Sequence, residues 1–229
     1  MQKLKFSTGN SKMNSLASYL NLKNTQVVSF DLPAGYTCPN AKLCKAYASP
    51  KSVKIIQGKD MIFRCYAASL EVAFKNYRES HWHNFNILKS MDTDSMVELI
   101  LKSLPKNVKI VRIHSSGDFF NDNYFKAWLK ISEILPQVNF FGYTKVLEYV
   151  KLVKPSNFKL QYSFGGTQDS EVTDNIPTCK VVEYSEESAC KSKDFEASSE
   201  DYFRIMSGES FTLNLHGTQP KNRKAIEYC

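Results

Sequence analysis

Three cysteines in the first third of the chain have the types and spacing that could do chemistry. Cys38 and Cys44 lie in one predicted loop, and Cys65 stands at the entry to a predicted helix. Thiolates bind zinc or iron–sulfur clusters in preference to hard cations. Structural zinc sites space paired cysteines by about two to four residues and use four ligands, whereas five residues separate Cys38 from Cys44. The three together suit a [4Fe-4S] cluster with one iron open to a small ligand, with zinc or ordinary thiols as alternatives.

Two later cysteines are candidates for a fourth ligand. Cys179 and Cys190 lie far downstream, where the simpler interpretation is that each is an isolated core thiol. The polar beginning of the chain lacks the apolar segment of an export signal, so a reducing compartment is expected. Cysteines in such a compartment stay available for metal or redox chemistry instead of forming disulfides.

A second group of polar residues follows a strongly apolar predicted strand, 108–114. The residues are Ser116, Gly117 and Asp118. A small residue followed by glycine lets a ligand approach the backbone closely. The Asp118 carboxylate can accept a hydrogen bond from an amino or hydroxyl group. The alternative is a plain turn in which Asp118 caps the next helix.

Further polar side chains follow two other predicted strands. Tyr143 and Lys145 stand at the end of one strand, and His216 and Gln219 at the end of the last. In barrels and open α/β sheets, binding and catalytic groups collect at the carboxyl ends of the strands. These four residues are therefore candidates for lining one pocket together with the cysteines.

The elements that must position these residues alternate along the chain. Six segments have the apolar pattern of strands: 27–30, 108–114, 138–144, 158–164, 180–184 and 211–216. Four segments have apolar residues at helical spacing: 67–88, 93–104, 121–135 and 145–153. This alternation predicts an α/β protein built from parallel β/α units with right-handed crossovers. It leaves open whether the sheet is doubly wound or forms a partial barrel.

Composition predicts one globular domain over 1–229, since 42% of the residues are hydrophobic and 23% are charged. Within it lie a basic N-terminal extension, 1–25, and a cysteine loop, 36–66, with a hairpin-like insertion. The first 59 residues hold nine lysines and a single acid, so this quarter could bind nucleic acid or form a solvated lysine-rich surface. No apolar run reaches the roughly 18–20 residues of a membrane span, so no membrane partner is expected.

Several stretches resemble the bacteriophage gene-product-88 family, from about residue 27 to about residue 226. They are LPAGYTCPNA, FRCYAASLE, VRIHSSGDFF, YFKAWLKI, FFGYTK and FTLNLHGTQP. The family in turn is similar to a compact relative of radical S-adenosylmethionine enzymes, in which a cysteine loop follows the first strand of a barrel. That resemblance implies a partial (βα)6 barrel.

The same resemblance implies roles for the residues. The three early cysteines would be iron ligands, although the enzymes' C-x₃-C-x₂-C is opened here to C-x₅-C-x₂₀-C. Ser116-Gly117-Asp118 would correspond to the motif that meets the amino group of S-adenosylmethionine. The four pocket candidates after the later strands would lie above the cluster.

These observations lead to two expected functions. The first is a phage-encoded [4Fe-4S] protein in the cytoplasm of the infected host, acting on a small molecule by radical or redox chemistry. The second is a zinc-stabilised, non-catalytic protein that binds nucleic acid through its basic first quarter or is associated with the virion.

Overall fold

A seven-stranded, mostly parallel sheet forms the centre of the computed structural model, which describes residues 3–8, 10–182 and 201–221. The strands are β1 (Phe6–Ser7), β2 (Val27–Phe30), β3 (Ala46–Ala48), β4 (Ile55–Gln57), β5 (Ile110–Ile113), β6 (Asn139–Thr144), β7 (Phe158–Ser163), β8 (Thr178–Val182) and β9 (Phe211–Asn214). The helices are α1 (Ser11–Tyr19), α2 (Tyr66–Ala73), α3 (Lys75–Leu88), α4 (Thr93–Ser103), α5 (Asp122–Ile134), α6 (Leu147–Lys151) and α7 (Asp201–Ser207). In the described part of the chain, no helix is long and apolar enough to cross a membrane.

Neighbouring strands of the sheet follow one another in chain order. The order is β1-β2-β5-β6-β7-β8-β9, and β3 and β4 form a separate antiparallel hairpin. The first strand runs antiparallel to the second, and each later pair is parallel. A doubly wound sheet reverses its strand order at a switch point, which this sheet does not do. The mixed α/β class is therefore confirmed, and the doubly wound alternative is wrong.

Both faces of the sheet are buried, because helices cover each side. Successive residues of a strand point to opposite faces. Val28 and Val111 belong to an apolar cluster with α4 and α5, whereas Val27 and Ile110 belong to a second cluster with α1 and α7. Arg112 lies two residues after Ile110 and therefore on the face that α1 and α7 cover. A cation on this buried face requires a partner or a function.

The strand predictions are confirmed more closely than the helix predictions. All six predicted strands are present, although β8 begins two residues before the predicted start. The helix predicted over 67–88 is wrong in one respect, since Phe74 has an extended backbone (φ −119°, ψ 106°) and separates α2 from α3. Apolar spacing continues through this position, so the pattern does not reveal a break at one residue.

Other elements lie where the sequence pattern is weak. The predicted basic extension, 1–25, contributes β1 and α1, and α1 buries Met13 and Leu16 in the second cluster. Within the predicted insertion of the cysteine loop, β3 and β4 pair in antiparallel fashion. Between β8 and β9, the described residues include α7, which packs on the same face as α1.

Candidate functional site

A cavity of about 780 Å³ lies at the carboxyl ends of the parallel strands. Residues of the first and the last strands of the sheet, such as Ser7 and Leu213, line the same cavity. Nine of the residues proposed from the sequence also line it: Cys38, Cys44, Cys65, Ser116, Gly117, Asp118, Tyr143, Lys145 and His216. The fold therefore brings thiols, a carboxylate and aromatic rings from five different loops to one place.

The three cysteines are partly buried, line this cavity and are near enough to interact electrostatically. Cys65 is the N-cap of α2. Burial and then the charge of nearby Cys44 raise the pKa of Cys65 to about 12, although the backbone N–H groups of Ala67 and Ala68 act in the opposite direction. Burial also raises the pKa of Cys38, with contributions from Asp118 and the other two thiols. The three sulfurs thus interact electrostatically, and a bound cation would relieve the cost of ionising them.

The thiols do not form the compact group that a single ion needs. Among the described residues, no three His, Cys, Asp or Glu side chains have an arrangement that could hold a metal ion. A structural zinc ion requires four ligands around one point. A four-iron cluster places iron and sulfide between its ligands, so its cysteines are spread more widely. Binding of either metal group by these thiols stays a prediction.

Two buried carboxylates hold the loops that carry the site. Asp31 accepts hydrogen bonds from the backbone N–H of Ser115 (2.6 Å) and of Ser116 (3.1 Å), which joins the loop after β2 to the loop after β5. Glu71 of α2, fully buried, accepts from the N–H of Ala34 (2.9 Å) and from His81 Nδ1 (2.8 Å). The cysteine loop and the Ser116 loop therefore share one framework.

His81 corrects an expectation from the sequence. The pair of histidines around Trp82 reads as surface or helix-capping residues, but only 3% of His81 is exposed, and its ring pairs with Glu71. The helical pattern of α3 does not show that α2 packs against this face.

The Ser116-Gly117-Asp118 turn lines the cavity and is also fixed by hydrogen bonds to neighbouring segments. Ser116 Oγ donates to Leu32 O at 2.9 Å. Asp118 accepts from the backbone N–H of Phe119 (2.7 Å) and of Lys145 (2.9 Å), and burial raises its pKa to about 6. The helix that follows is capped by Asn121. The helix-cap alternative for Asp118 is therefore wrong, and its role toward a ligand stays a prediction.

The four pocket candidates have different surroundings. Lys145 Nζ donates to Ser163 O (2.8 Å), Ser163 Oγ (3.0 Å) and Phe164 O (2.5 Å), so its ammonium group ties β6 to β7. His216 lies against the ring of Tyr66, with 4.6 Å between centroids. Tyr143 Oη donates to Asp201 Oδ2 at 3.3 Å.

Gln219 acts on the backbone beside the third cysteine. Its amide accepts from Arg64 N (2.8 Å) and donates to Arg64 O (3.0 Å). This clamp fixes the residue before Cys65, while Gln219 itself is not among the residues that line the cavity.

The candidates for a fourth ligand lie elsewhere. Cys179 is buried on β8 in the apolar cluster with α1 and α7, and it does not line the cavity. Cys190 lies outside the described residues. A fourth protein ligand therefore stays a prediction.

Acidification is expected to destabilise the protein through His114. Its imidazole is buried with Nε2 3.0 Å from Tyr124 Oη, and burial lowers its pKa from 6.5 to about 3. Between pH 6.5 and about 3, His114 binds a proton in the unfolded chain but not in the folded one. The free energy of unfolding therefore decreases as the pH is lowered, by at most about 1.4 kcal/mol per pH unit. His114→Asn, which tolerates the left-handed φ of +70°, should show a smaller loss in urea unfolding over this range.

The wild type is the control for this comparison because both proteins contain Asp118. Since burial raises the pKa of Asp118 to about 6, its folded carboxyl group keeps a proton that the unfolded one releases, and it stabilises the fold as pH falls. The two effects oppose each other in a single curve. The contribution of His114 is the difference between the wild type and His114→Asn in plots of unfolding free energy against pH. Equal slopes in the two plots would show that His114 does not cause the loss of stability.

Three residues of the site are not singled out by motif or spacing: Asp31, Glu71 and Arg112. A signal exists for one of them, because Arg112 is the charged residue within the otherwise apolar strand β5. Buried cations require a partner or a function. Asp31 and Glu71 have no such signal, since the sequence around each of them is equally compatible with a side chain exposed to solvent.

Comparison with known proteins places the chain among phage proteins. The model of the family described as gene product 88 matches residues 3–226. The chain is 29% identical over 149 residues to the Gene 88 protein of Mycobacterium phage D29, covering 59% of this chain and 55% of that protein. It is 30% identical over 169 residues to the Gene 88 protein of Mycobacterium phage L5, covering 68% of this chain and 61% of that protein.

The matches identify the family of the chain and cover only part of each relative. The chain spans 55% of the first relative's length and 61% of the second's. No solved structure matches it, so the similarity to radical S-adenosylmethionine enzymes stays a prediction. Because the family model covers nearly the whole sequence and both relatives are phage proteins, the chain belongs to the gene product 88 family of bacteriophages.

Proposed function

We propose that this protein binds an iron–sulfur cluster through Cys38, Cys44 and Cys65, and that the cavity beside the thiols takes a small organic molecule. The observation that carries the proposal is that three partly buried thiols, one of them more than twenty residues from the other two, line one cavity of about 780 Å³. Buried thiols that interact electrostatically are costly to keep ionised unless a metal compensates them. When bound, such a cluster would supply one-electron chemistry.

The surrounding residues support a cluster ligand set in two ways. Cys65 stands at the N-terminus of α2, where the backbone N–H groups of Ala67 and Ala68 lower its pKa and so favour the anionic sulfur that a cluster requires. Lys45 Nζ donates to Cys38 O at 2.6 Å, which fixes the loop and places a positive charge beside it. A positive environment offsets the negative charge that thiolates bring to a buried site.

The sheet supports the partial (βα)6 barrel that the cluster proposal needs. Six parallel strands follow chain order, and side chains from both ends of the sheet line one cavity. A cavity lined from both ends of a sheet is what a curved, partly closed sheet would produce. The face that carries Arg112 and Tyr143 would then be the interior of the barrel, with α1 and α7 at its closed end.

The proposed setting is the infected cell, since the relatives are phage proteins. S-adenosylmethionine is proposed as the molecule to test first, because Asp118 lines the cavity next to the thiols. Added to the reduced protein, it should change the paramagnetic resonance spectrum of the cluster. An unchanged spectrum would remove S-adenosylmethionine from the proposal and leave the cluster in place.

Metal and sulfide analysis tests the cluster itself. The full chain, purified without oxygen, should be brown and contain about four irons and four sulfides per molecule. Cys65→Ala should lose most of both, because it removes one of three thiol ligands. Cys179→Ala is the matched control, since this buried cysteine lies in the apolar cluster and should leave the iron content unchanged.

Three results would overturn the assignment. A colourless protein without iron or sulfide would exclude a cluster. Equal iron in Cys65→Ala and in the wild type would exclude this ligand set. Stoichiometric zinc without sulfide would favour the zinc-stabilised alternative, whose nucleic-acid affinity should then fall steeply with salt.

A further inference from the structure

We propose that the cavity recognises an oxyanion, a carboxylate or a phosphate on a small molecule with a planar apolar body, through Arg112. This inference deepens the proposed function and rests on it in one respect, since it names the ligand class for the same cavity. Its own support comes from residues on the wall away from the cysteines.

Arg112 is a buried cation placed by the sheet. It lies in the middle of β5, where only 7% of the residue is exposed, and it lines the cavity. Its Nε is buried without a hydrogen-bond partner in the described part of the chain. A guanidinium group has five N–H donors in a rigid plane. The Nε–H is screened from the cavity, so the donors on the two Nη atoms are the ones that a ligand acceptor would meet, because Arg112 lines the cavity.

The counter-ion of Arg112 is shared with other groups. Asp201 Oδ2 lies 3.5 Å from the Arg112 guanidinium, 3.8 Å from Lys12 Nζ and 3.3 Å from Tyr143 Oη. The other oxygen, Oδ1, accepts from the backbone N–H of Tyr202 at 2.9 Å. One carboxylate therefore serves two cations and a phenol at this wall. The contact with Arg112 is longer than a charge-assisted hydrogen bond, so the guanidinium retains capacity for a second anion.

The remaining acid near this wall is already engaged. Asp31 also lines the cavity, but it accepts from two backbone N–H groups and from Ser29 Oγ at 2.7 Å. Its charge is thus directed to the loop that it holds. The Arg112 guanidinium therefore keeps donors for a ligand, and oxyanions match its planar geometry in two parallel bonds.

Aromatic rings give the ligand body a surface. Tyr66, Tyr77 and Tyr143 line the cavity together with the exposed ring of Phe74 and the imidazole of His216. The Arg112 guanidinium stacks on Tyr143, 5.5 Å from the ring centroid. Flat apolar walls with one fixed polar group are typical of pockets for small organic molecules.

Calorimetric titration of the full chain, purified without oxygen, tests the proposal with three probes that share one ring. The probes are benzoate, phenyl phosphate and the neutral benzyl alcohol. We expect at least one of the two anions to bind at least about tenfold more tightly than benzyl alcohol, because only an anion gains charge-assisted bonds to Arg112. The stronger of the two anions identifies carboxylate or phosphate as the group recognised.

Variants assign the binding to this arginine. Arg112→Met should weaken anion binding at least about tenfold, whereas Arg78→Met should not, because Arg78 contacts the Glu71 carbonyl outside the cavity. If Arg112→Met does not fold because Asp201 has lost one of its two cations, the double variant Arg112→Met/Asp201→Asn removes both charges. Asp201→Asn alone should tighten anion binding, which a merely structural ion pair would not produce.

The outcomes separate this inference from the cluster proposal when iron is measured on the same samples. Anion binding that depends on Arg112 in a protein without iron would refute the cluster alone. Iron without selective anion binding, or anion binding unchanged in Arg112→Met, would refute the anion site alone. Equal affinity for benzoate, phenyl phosphate and benzyl alcohol would also refute it.

Discussion

Glu71→Ala is expected to lower the free energy of unfolding by about 3–5 kcal/mol, the range found when one partner of a buried ion pair is removed. The carboxylate is fully buried and accepts from the Ala34 N–H and from His81 Nδ1. Ser116 Oγ lies 3.4 Å from the same oxygen. Alanine would leave the Ala34 N–H and the His81 Nδ1–H buried without this acceptor, whereas Ser116 Oγ would keep its bond to Leu32 O.

The change should also reach the site, because the three donors belong to different elements. Ala34 precedes Cys38 in the cysteine loop, and Ser116 belongs to the turn after β5. Releasing both should loosen the thiols, so we expect the iron content to fall together with the stability.

Urea unfolding monitored by circular dichroism measures the first effect. The matched control is Glu79→Ala on α3, whose exposed carboxylate pairs with Lys75 at 3.7 Å. An exposed pair of this kind contributes about 0.3–0.5 kcal/mol. A Glu71→Ala midpoint as close to the wild type as that of Glu79→Ala would show that the buried framework is not what holds the loops.

The second large effect is expected for Gly117→Ala. Gly117 has φ +89°, and a Cβ added there would lie 2.7 Å from Thr37 Oγ1 and 2.8 Å from Leu32 Cβ. The backbone conformation costs about 1–3 kcal/mol for a residue with a side chain. Pushing Thr37 and Leu32 aside adds about 1–3 kcal/mol. Because Thr37 is next to Cys38, the thiol loop would have to move.

Gly208→Ala is the control that separates the cost of the left-handed backbone from the cost of packing an added Cβ. This glycine also has a left-handed φ, +78°, but nothing lies within 4 Å of an added Cβ. Denaturant unfolding should therefore show the backbone cost in both variants and the packing cost only in Gly117→Ala. Iron content should fall in Gly117→Ala alone. Equal losses of stability and intact iron in both would mean that the two loops are not tightly packed.

Both effects concern the contact between the loop after β2 and the loop after β5. The first loop leads to the cysteines, and the second carries Ser116 to Asp118. In a sheet whose strands follow chain order, these loops are neighbours because β2 and β5 are neighbours. The intervening hairpin and three helices are accommodated outside this contact. An insertion that opens the cysteine spacing therefore need not separate the thiols in space.

Local patterns account for much of the fold. The apolar runs of β2, β5, β6 and β7 predict buried parallel strands, because such strands are covered on both faces. Polar residues directly after them predict one shared edge, and nine of the proposed site residues do line one cavity there. These features can be predicted from short stretches of sequence. Strand propensity depends on neighbouring residues along the chain, and loops that follow parallel strands must lie at the same edge of the sheet.

What the sequence by itself determined is the α/β alternation, the edge at which polar groups collect and the three thiols as residues of that edge. Tertiary structure alone decided that Glu71 and His81 form a buried pair, that Phe74 breaks a helix and that α1 and α7 cover the face bearing Arg112. The physical reason is that burial and pairing of a polar group depend on residues distant in the chain. A lone Glu, His or Arg has the same local preference whether its partner is water or another side chain.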